Sequence, residues 1–394
     1  MADPAEYLIV ASSARALSAA ARRCGVRAYA LDLFGDVDTV ASTFVSRVVA
    51  GDLEQGFNGA ALLQAADRIA PRAANAALGL VYGAGFEDRP ELLARLSSGR
   101  VLCGNRPETL ARTKDPRTFF PVLDALRIPH PQISCACPSE ADDWLVKRIG
   151  ASGGSHVLPA AGADKYSTDC YFQRRMPGRA IGVSFLADGA RAFPLGLSEQ
   201  WASPDARRPF RFGGMVRPAL VDSGVTAKLY AVLDPLVEAL GLVGLNSLDA
   251  LVDDDRFLVL EVNPRPGANL DLYDGADPIG LFAHHVRACA GELPESWQAP
   301  PQASAMSILY AADVTTITEA IAWPHWVADR PAAGTIIAAN APVCTVLASA
   351  ASATAARRLL AARETTVRSM LHEQSARPTL RPANRVKTRS GSTA

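Results

Sequence analysis

The sequence predicts a mixed fold: a parallel α/β domain at the N-terminus, followed by α+β segments built on antiparallel hairpins. Three observations carry this. The first hundred residues alternate short apolar strand runs with helical ones, the pattern of parallel strands joined by helices. Leu245 to Val252 and Phe257 to Asn263 flank an acidic turn and read as an antiparallel pair. Pro294 to Gln302 reads as a linker, and beyond it strand runs precede one helix.

In the first domain, expected over 1–104, Tyr7-Leu8-Ile9-Val10 is a buried strand and Ala14 to Cys24 an Ala-rich helix. Ala28 to Leu31 is a second strand, ending at Asp32 and Asp36. Leu78 to Val81 and Val101 to Cys103 are further strands, with helices over Gly59 to Ile69 and Pro90 to Leu96. The first turn, Ala11-Ser12-Ser13-Ala14-Arg15, lacks the glycines that let a dinucleotide pyrophosphate approach the backbone. A nicotinamide or flavin cofactor is disfavoured. Gly83-Ala84-Gly85-Phe86-Glu87 follows a strand, where open α/β sheets bind ligands, though a plain turn explains it equally well.

The middle region, 105–295, opens with two short helices from Arg106 to Leu126, broken at Pro116. Trp144 to Lys147 is a strand running into Gly150-Ala151-Ser152-Gly153-Gly154-Ser155. Strands follow over Cys170 to Met176 and Ile181 to Leu186, with Asp188-Gly189 as a hairpin turn. A loop from Trp201 to Pro218 holds Arg207, Arg208, Arg211 and Gly213-Gly214, and a helix spans Val225 to Leu240. The segment 303–375 reads as a small C-terminal α+β domain, with strands near Ser307 to Tyr310, Thr335 to Ala338 and Val343 to Leu347 and a helix over Thr354 to His372. Ser375 to Ala394 has five Lys or Arg and no acid, and 376–394 is expected to be a disordered basic tail.

Forty basic and forty acidic residues cancel, so no net field points to nucleic acid or an anionic membrane. Asp3 and Glu6 precede the first apolar run, unlike a secretory signal, and no apolar stretch is long enough to cross a bilayer. A cytoplasmic location is expected. The seven cysteines are scattered apart from Cys135-Ala-Cys137, without the matching pair a zinc site needs.

Chemistry concentrates in the acidic hairpin. Glu261 and Asn263 lie two apart in a strand and project side by side. If Asp254 to Arg256 form a three-residue turn, Asp253 pairs Phe257 and Asp249 falls opposite Glu261 on the same face. Two carboxylates and an amide oxygen suit a hard cation such as Mg2+, with Mn2+ the other candidate. A row of solvated acids would explain Asp253 to Asp255, but not Glu261 embedded in an apolar strand. Arg265 then stands beside the cation. Lys147, followed at once by a glycine-rich loop, can hold phosphate oxygens, although the loop is no Walker motif.

Lys114, then Lys147 with its loop, then Gln173-Arg174-Arg175-Met176, then Asp249, Glu261 and Asn263 together resemble the ATP-grasp superfamily over roughly residues 1–290. The stretch Leu260-Glu261-Val262-Asn263-Pro264-Arg265-Pro266-Gly267 is similar to the family's final motif. The resemblance implies the ATP-grasp fold: two α+β lobes clasping ATP behind a Rossmann-like domain, with a hinge near 173–178. It implies that Lys114, Lys147, Ser152, Gly153 and Gly154 contact phosphates, that Gln173 to Met176 passes the adenine, and that Asp249, Glu261 and Asn263 hold Mg2+. Many members place an acid shortly after the adenine segment to hold the ribose, but Pro177-Gly178-Arg179-Ala180 offers none; either Glu199 or another side chain substitutes, or ribose recognition is weak. The segment after 303 is loosely similar to the appended domain of biotin-carboxylase-related members.

The implied reaction joins a small-molecule carboxylate, such as an amino acid like glutamate, to an amine through an acyl phosphate, with Lys147 and Arg265 as catalytic residues. The loop from Arg207 to Gly214 reads equally as a solvated surface loop or as one that closes over an acidic substrate, with Arg211, Gly213 and Gly214, beside Arg265, as candidate substrate contacts and the glycines as its hinge. A bicarbonate-activating carboxylase and a nucleotide-binding regulatory protein without turnover are the competing readings. Subunit number is open, although related ligases are often dimers.

Overall fold

The computed structural model describes residues 6–70, 78–161, 169–318 and 321–376. The tail expected over 376–394 lies outside them except for Ala376, the last residue of the final helix.

Glu6–Val10 is the central strand of a five-stranded parallel sheet, in the order Val45–Val48, Arg27–Asp32, Glu6–Val10, Leu78–Tyr82, Val101–Leu102. Side chains alternate across it. Tyr7 and Ile9 pack with Leu17, Ala20 and Ala21 of the helix Arg15–Arg23, while Leu8 and Val10 pack with Leu62, Ala66, Leu93 and Leu96 on the other face. With both faces dry, the strand reads as an unbroken apolar run. Strand order reverses between Glu6–Val10 and Leu78–Tyr82, so the turns after their carboxyl ends diverge and leave a crevice.

The second sheet has eight antiparallel strands, in the order Arg256–Asn263, Val243–Asp253, Arg179–Asp188, Ala192–Ala202, Phe212–Arg217, Ala303–Tyr310, Pro342–Ala350, Val327–Ala328. Two findings depart from the sequence reading. Phe212–Arg217 is a strand where a loop is expected, and Gly214 stands opposite Ser307. The segment after residue 303 thus extends the hairpin's own sheet, and the helix Ala353–Ala376 covers it with Ala356, Leu360 and Val367. The expected helix over Val225 to Leu240 is instead two, Ser223–Ala231 and Leu233–Leu240. Pro235 has no amide hydrogen to donate to the Ala231 carbonyl, and the helix breaks between them.

A third, four-stranded sheet, in the order Val157–Pro159, Trp144–Arg148, Cys170–Arg174, Ile133–Ser134, forms a small lobe around Val146, Ala160 and Phe172. The N-terminal domain is fastened to the rest by Arg15. It is only 7% exposed and pairs with Asp271, next to the hairpin, and with Asp329, from the segment after the linker.

Candidate active site

Hairpin register decides where the carboxylates point. The three-residue turn expected from the sequence does not form: Asp253 pairs Arg256, leaving Asp254-Asp255 as the turn, with Asp254 at φ +49°. By parity alone this turn sends Asp249 and Glu261 to opposite faces. A β-bulge reverses that. Ala250 pairs Val259 and Asp249 pairs Glu261, so Leu260 is an extra residue in its strand. Phe257, Val259 and Val262 consequently all reach the core, while Leu260 and Glu261 both line the cleft. Asp249 does stand opposite Glu261, because two departures from the expected register cancel.

Lys114, the last residue of the helix Pro107–Lys114, reaches this pair from outside the hairpin. Its Nζ donates to Glu261 Oε2 (2.9 Å) and to Asn263 Oδ1 (2.7 Å). Asn263 Nδ2 donates to Asp249 Oδ2 (3.0 Å), and Gln200 Nε2 to Asp249 Oδ1 (2.8 Å). Burial pushes the Asp249 carboxyl up, and the neighbouring Glu261 charge adds to it. Burial acts the same way on Glu261, but the Lys114 and Lys147 ammonium groups outweigh it and hold Glu261 low. The lysine ammonium shows that Glu261 and Asn263 form a face for a cation. Asp249, on the same face, completes two carboxylates and an amide oxygen, the hard donor set that suits Mg2+.

Pro264, next along, is fixed by a buried network. Asn105 Nδ2 donates to the Pro264 carbonyl (2.9 Å) and to Asn246 Oδ1 (2.8 Å), and Tyr82 OH donates to the same carbonyl (3.2 Å). Arg265 follows. Its Nε donates to Glu87 Oε1 (2.7 Å), and Glu87 Oε2 accepts from the amides of Gly85 (2.7 Å) and Phe86 (3.0 Å). The Gly83 to Glu87 turn thus aims Arg265 from the N-terminal domain. Burial pushes Glu87 up, but the Arg265 and Lys114 charges prevail and its carboxyl lies below the usual range.

Across the cleft, Lys147 and Gln173 share one face of the small sheet, and Lys147 Nζ donates to Gln173 Oε1 (2.6 Å). Gln173 is 1% exposed and its Nε2 has no partner among the described residues. Burial pulls the Lys147 ammonium down against the Glu261 and Asp249 charges. Ser152, Gly153 and Gly154 line the cleft beside it, and Arg174, Arg175 and Met176 lie at its exposed rim with Leu251 and Leu260 as apolar walls. The cleft encloses about 2440 Å3, room beyond the roughly 300–1,000 Å3 of a single small-ligand pocket.

The glycine-rich loop is closed down. Gly154 sits at φ +72°, and a Cβ there would lie 2.0 Å from the Phe210 carbonyl oxygen; Phe212 N donates to Gly153 O (2.9 Å). Gly154→Ala is therefore expected to lift the loop off the 203–212 segment while leaving the cores intact. Limited proteolysis should cut within 150–157 faster than in the parent with Tm almost unchanged; equal cutting rates would contradict this packing.

The substrate-loop expectation needs correcting. Arg211 is 4% exposed. Its Nε donates to Ser203 O (2.8 Å), its Nη1 to Asp205 Oδ2 (3.0 Å) and Asn340 O (3.1 Å), and it stacks 3.6 Å over Tyr310. These contacts build it into the cleft wall. Gly213 and Gly214 are strand residues, and a Cβ on Gly214 would stand 2.3 Å from Met306 O. Close packing, not hinging, requires glycine there.

Glu199 also lines the cleft, but it pairs with Arg179 (3.1 Å) and Arg357 (3.7 Å). Gln200 and His156 are site residues that carried no motif of their own, whereas Glu87 closes the Gly83 to Glu87 stretch already marked in the sequence. His156 follows the glycine-rich loop, where burial pulls its imidazole down to about 4, keeping it neutral beside two lysines.

A parallel α/β domain, a small antiparallel lobe and a larger antiparallel sheet facing each other across a lysine-and-carboxylate cleft define a clasp-type α/β protein. The chain carries an ATP-grasp domain: residues 114–269 match the family model of that name, from Lys114 to Asn269, just past the hairpin's end at Asn263. Carbamoyl phosphate synthase large chains are similar in sequence. That of Methanosphaerula palustris is 23% identical over 222 residues, 51% of this chain and 21% of the relative. That of Deinococcus radiodurans is 23% identical over 243 residues, 55% and 24%. The chain thus spans about a fifth to a quarter of these relatives' length.

Solved structures share the fold. A biotin carboxylase–β,γ-ATP complex from Campylobacter jejuni superposes with a TM-score of 0.66 at 17% identity, covering 89% of this chain and 88% of that one. The biotin carboxylase domain dimer of Hydrogenobacter thermophilus 2-oxoglutarate carboxylase, in complex with MgADP, ADP and bicarbonate, gives 0.65 at 14% identity, covering 87% and 86%. Among the described residues no helix is long and apolar enough to cross a membrane.

Proposed function

We propose that this protein is an ATP- and Mg2+-dependent ligase that joins a small-molecule carboxylate to an amine, releasing ADP and phosphate. One observation carries the reading: the Lys114 ammonium bridges Glu261 and Asn263 while Asn263 holds Asp249. Four side chains from a helix end and two strands thus converge on one cation-binding face, opposite Lys147 and the glycine-rich loop.

ATP fits between the small sheet and the hairpin, with the adenine along Gln173 to Met176 and between Leu251 and Leu260. The Gln173 amide nitrogen, without a partner among the described residues, is free to donate to the nucleotide. Lys147, Ser152, Gly153 and Gly154 take the phosphates, and Lys114 is close enough to Glu261 to neutralise phosphate charge beside it. Mg2+, held by Asp249, Glu261 and Asn263, supplies the charge neutralisation that lets an anionic carboxylate approach a nucleotide. Arg265, held by Glu87 at Nε, offers its remaining guanidinium nitrogens to the carboxylate or the transferring phosphoryl group. Carboxylate oxygen attacks the γ-phosphorus, ADP leaves, and the amine displaces phosphate from the acyl carbon, losing a proton as the amide forms. No protein nucleophile enters.

The test is a screen of carboxylate and amine pairs for ADP release, with products identified by mass. ADP should appear only when both partners are present, with an amide as product. Release driven by bicarbonate alone would contradict the ligase reading and favour a carboxylase; Mg-ATP binding without turnover on any pair would favour a regulatory role.

A further inference from the structure

The far end of the cleft plays no part in the phosphate chemistry, and it is acidic. Asp32, Asp36, Asp38, Asp271 and Asp329 gather where the N-terminal domain meets the hairpin sheet, against the guanidinium groups of Arg15 and Arg330. Four of these carboxylates are occupied. Asp32 accepts from the amides of Ala14 (3.4 Å), Phe34 (3.3 Å) and Gly35 (2.9 Å). Asp38 accepts from the amides of Asp329 and Arg330, both at 2.9 Å. Asp271 pairs with Arg15, and Asp329 accepts from Arg15, Ser13 Oγ (2.8 Å) and Thr345 Oγ1 (2.6 Å).

Asp36 is the exception. It occupies the N-cap of the short helix Val37–Ser42, where an aspartate ordinarily accepts from a first-turn amide, yet its side chain makes no cap bond. It is 5% exposed and lines the cleft with Ser12, Ser13, Leu33 and Phe34; its carbonyl accepts from the Val40 amide (3.0 Å), but among the described residues no hydrogen bond or ion pair reaches its side chain. Burial, then the charges of Asp329, Asp32 and Asp38, push its carboxyl up to about 8. A buried carboxylate without a partner costs stability that a structural role does not explain.

We propose that Asp36 recognises a non-reacting ammonium group of the second substrate, a diamine whose carbon stem lies along Leu33 and Phe34 and whose other nitrogen, deprotonated, attacks the acyl carbon. This rests on the ligase reading and gives the amine its chemical class. The excess of carboxylates over guanidinium groups favours a cation. A divalent ion wants six or more oxygens, but the other carboxylates are already hydrogen-bonded, and among the described residues no three His, Cys, Asp or Glu are arranged to hold a metal. An ammonium group needs only three acceptors. Asp36 supplies one, and the hydroxyls of Ser12 and Ser13, whose protons go to Ala84 O and Asp329 Oδ1, retain lone pairs to accept.

The test uses Asp36→Asn in the full chain. The change is isosteric, removes no hydrogen bond and relieves repulsion, so Tm should hold or rise. Titration calorimetry with phenethylamine against 2-phenylethanol, and pentylamine against pentanol, is run with and without Mg2+ and AMP-PNP. An amine should bind the parent while its alcohol does not, and Asp36→Asn should weaken it at least ~10-fold without altering AMP-PNP binding. Equal binding of amine and alcohol, no amine binding, or an unaffected variant would overturn the proposal. Calcium chloride heat abolished by Asp36→Asn would overturn it in favour of a metal site. Failure of AMP-PNP to bind the parent contradicts the ligase reading, whereas the amine arm, also read without nucleotide, judges Asp36 separately.

Discussion

Glu261→Gln is expected to leave the protein folded and to lower Mg2+-dependent ATP turnover by about 10^3-fold, the equivalent of about 4 kcal/mol of lost charge stabilisation. Folding survives because Phe257, Val259 and Val262 supply the strand's core contacts and the glutamine keeps an oxygen for Lys114. Turnover does not, because the neutral amide removes the charge that makes this face a cation site. With Glu261 neutral, the Asp249 carboxyl also loses the repulsion that helps to raise it. Steady-state ADP release and far-UV circular dichroism on the same preparation check both halves. Turnover within a few-fold of the parent would remove Glu261 from the metal assignment.

Arg15→Met is expected to give the largest loss of stability. The methionine keeps an apolar stem, but Asp271 and Asp329 lose their counter-charge in a buried setting. Removing one partner of a buried ion pair costs about 3–5 kcal/mol; a fall in Tm of roughly 5 °C or more follows. The pH dependence has a definite sign. Burial pushes Asp329 up, but Arg15 and the hydroxyls of Thr345 and Ser13 outweigh it, so its folded pKa is depressed. Its contribution is complete above the ordinary aspartate value near ~3.9 and is lost as pH falls through the lower folded value. The gap between parent and variant should be full at neutral pH and narrow below about pH 4. A gap independent of pH would point to lost packing alone.

Much of this architecture is legible from residue pattern, and the exceptions have physical causes. Tyr7 to Val10 and Leu78 to Val81 are unbroken apolar runs because both faces of the parallel sheet are buried. Val45–Val48 escapes because an edge strand with half-exposed Ser46 and exposed Arg47 carries no such signal. Phe212–Arg217 looks like a loop because two glycines, Gly213 packed against Ala202 and Ser203 and Gly214 against Trp201 and Met306, mimic flexibility. The bulge at Leu260 is invisible to simple alternation, yet Phe257, Val259 and Val262 mark it by a spacing of two and then three. Glu261 stands out in the sequence as a carboxylate inside an apolar strand, and Asn263 and Asp249 follow from strand alternation and pairing, whereas Lys114 and Lys147 look like ordinary surface lysines until their order is set beside the ATP-grasp pattern. Asp36 gave no such signal, since a helix N-cap explains an aspartate equally well from sequence.

The most direct test of the cation-clasping cleft is Mn2+ binding followed by electron paramagnetic resonance, with and without AMP-PNP. Free Mn2+ signal should fall when the parent and nucleotide are both present, and this loss should disappear in Asp249→Asn and Glu261→Gln. Mn2+ retained equally by both variants, or nucleotide bound equally well in EDTA, would contradict the assignment of these residues to a metal–nucleotide site.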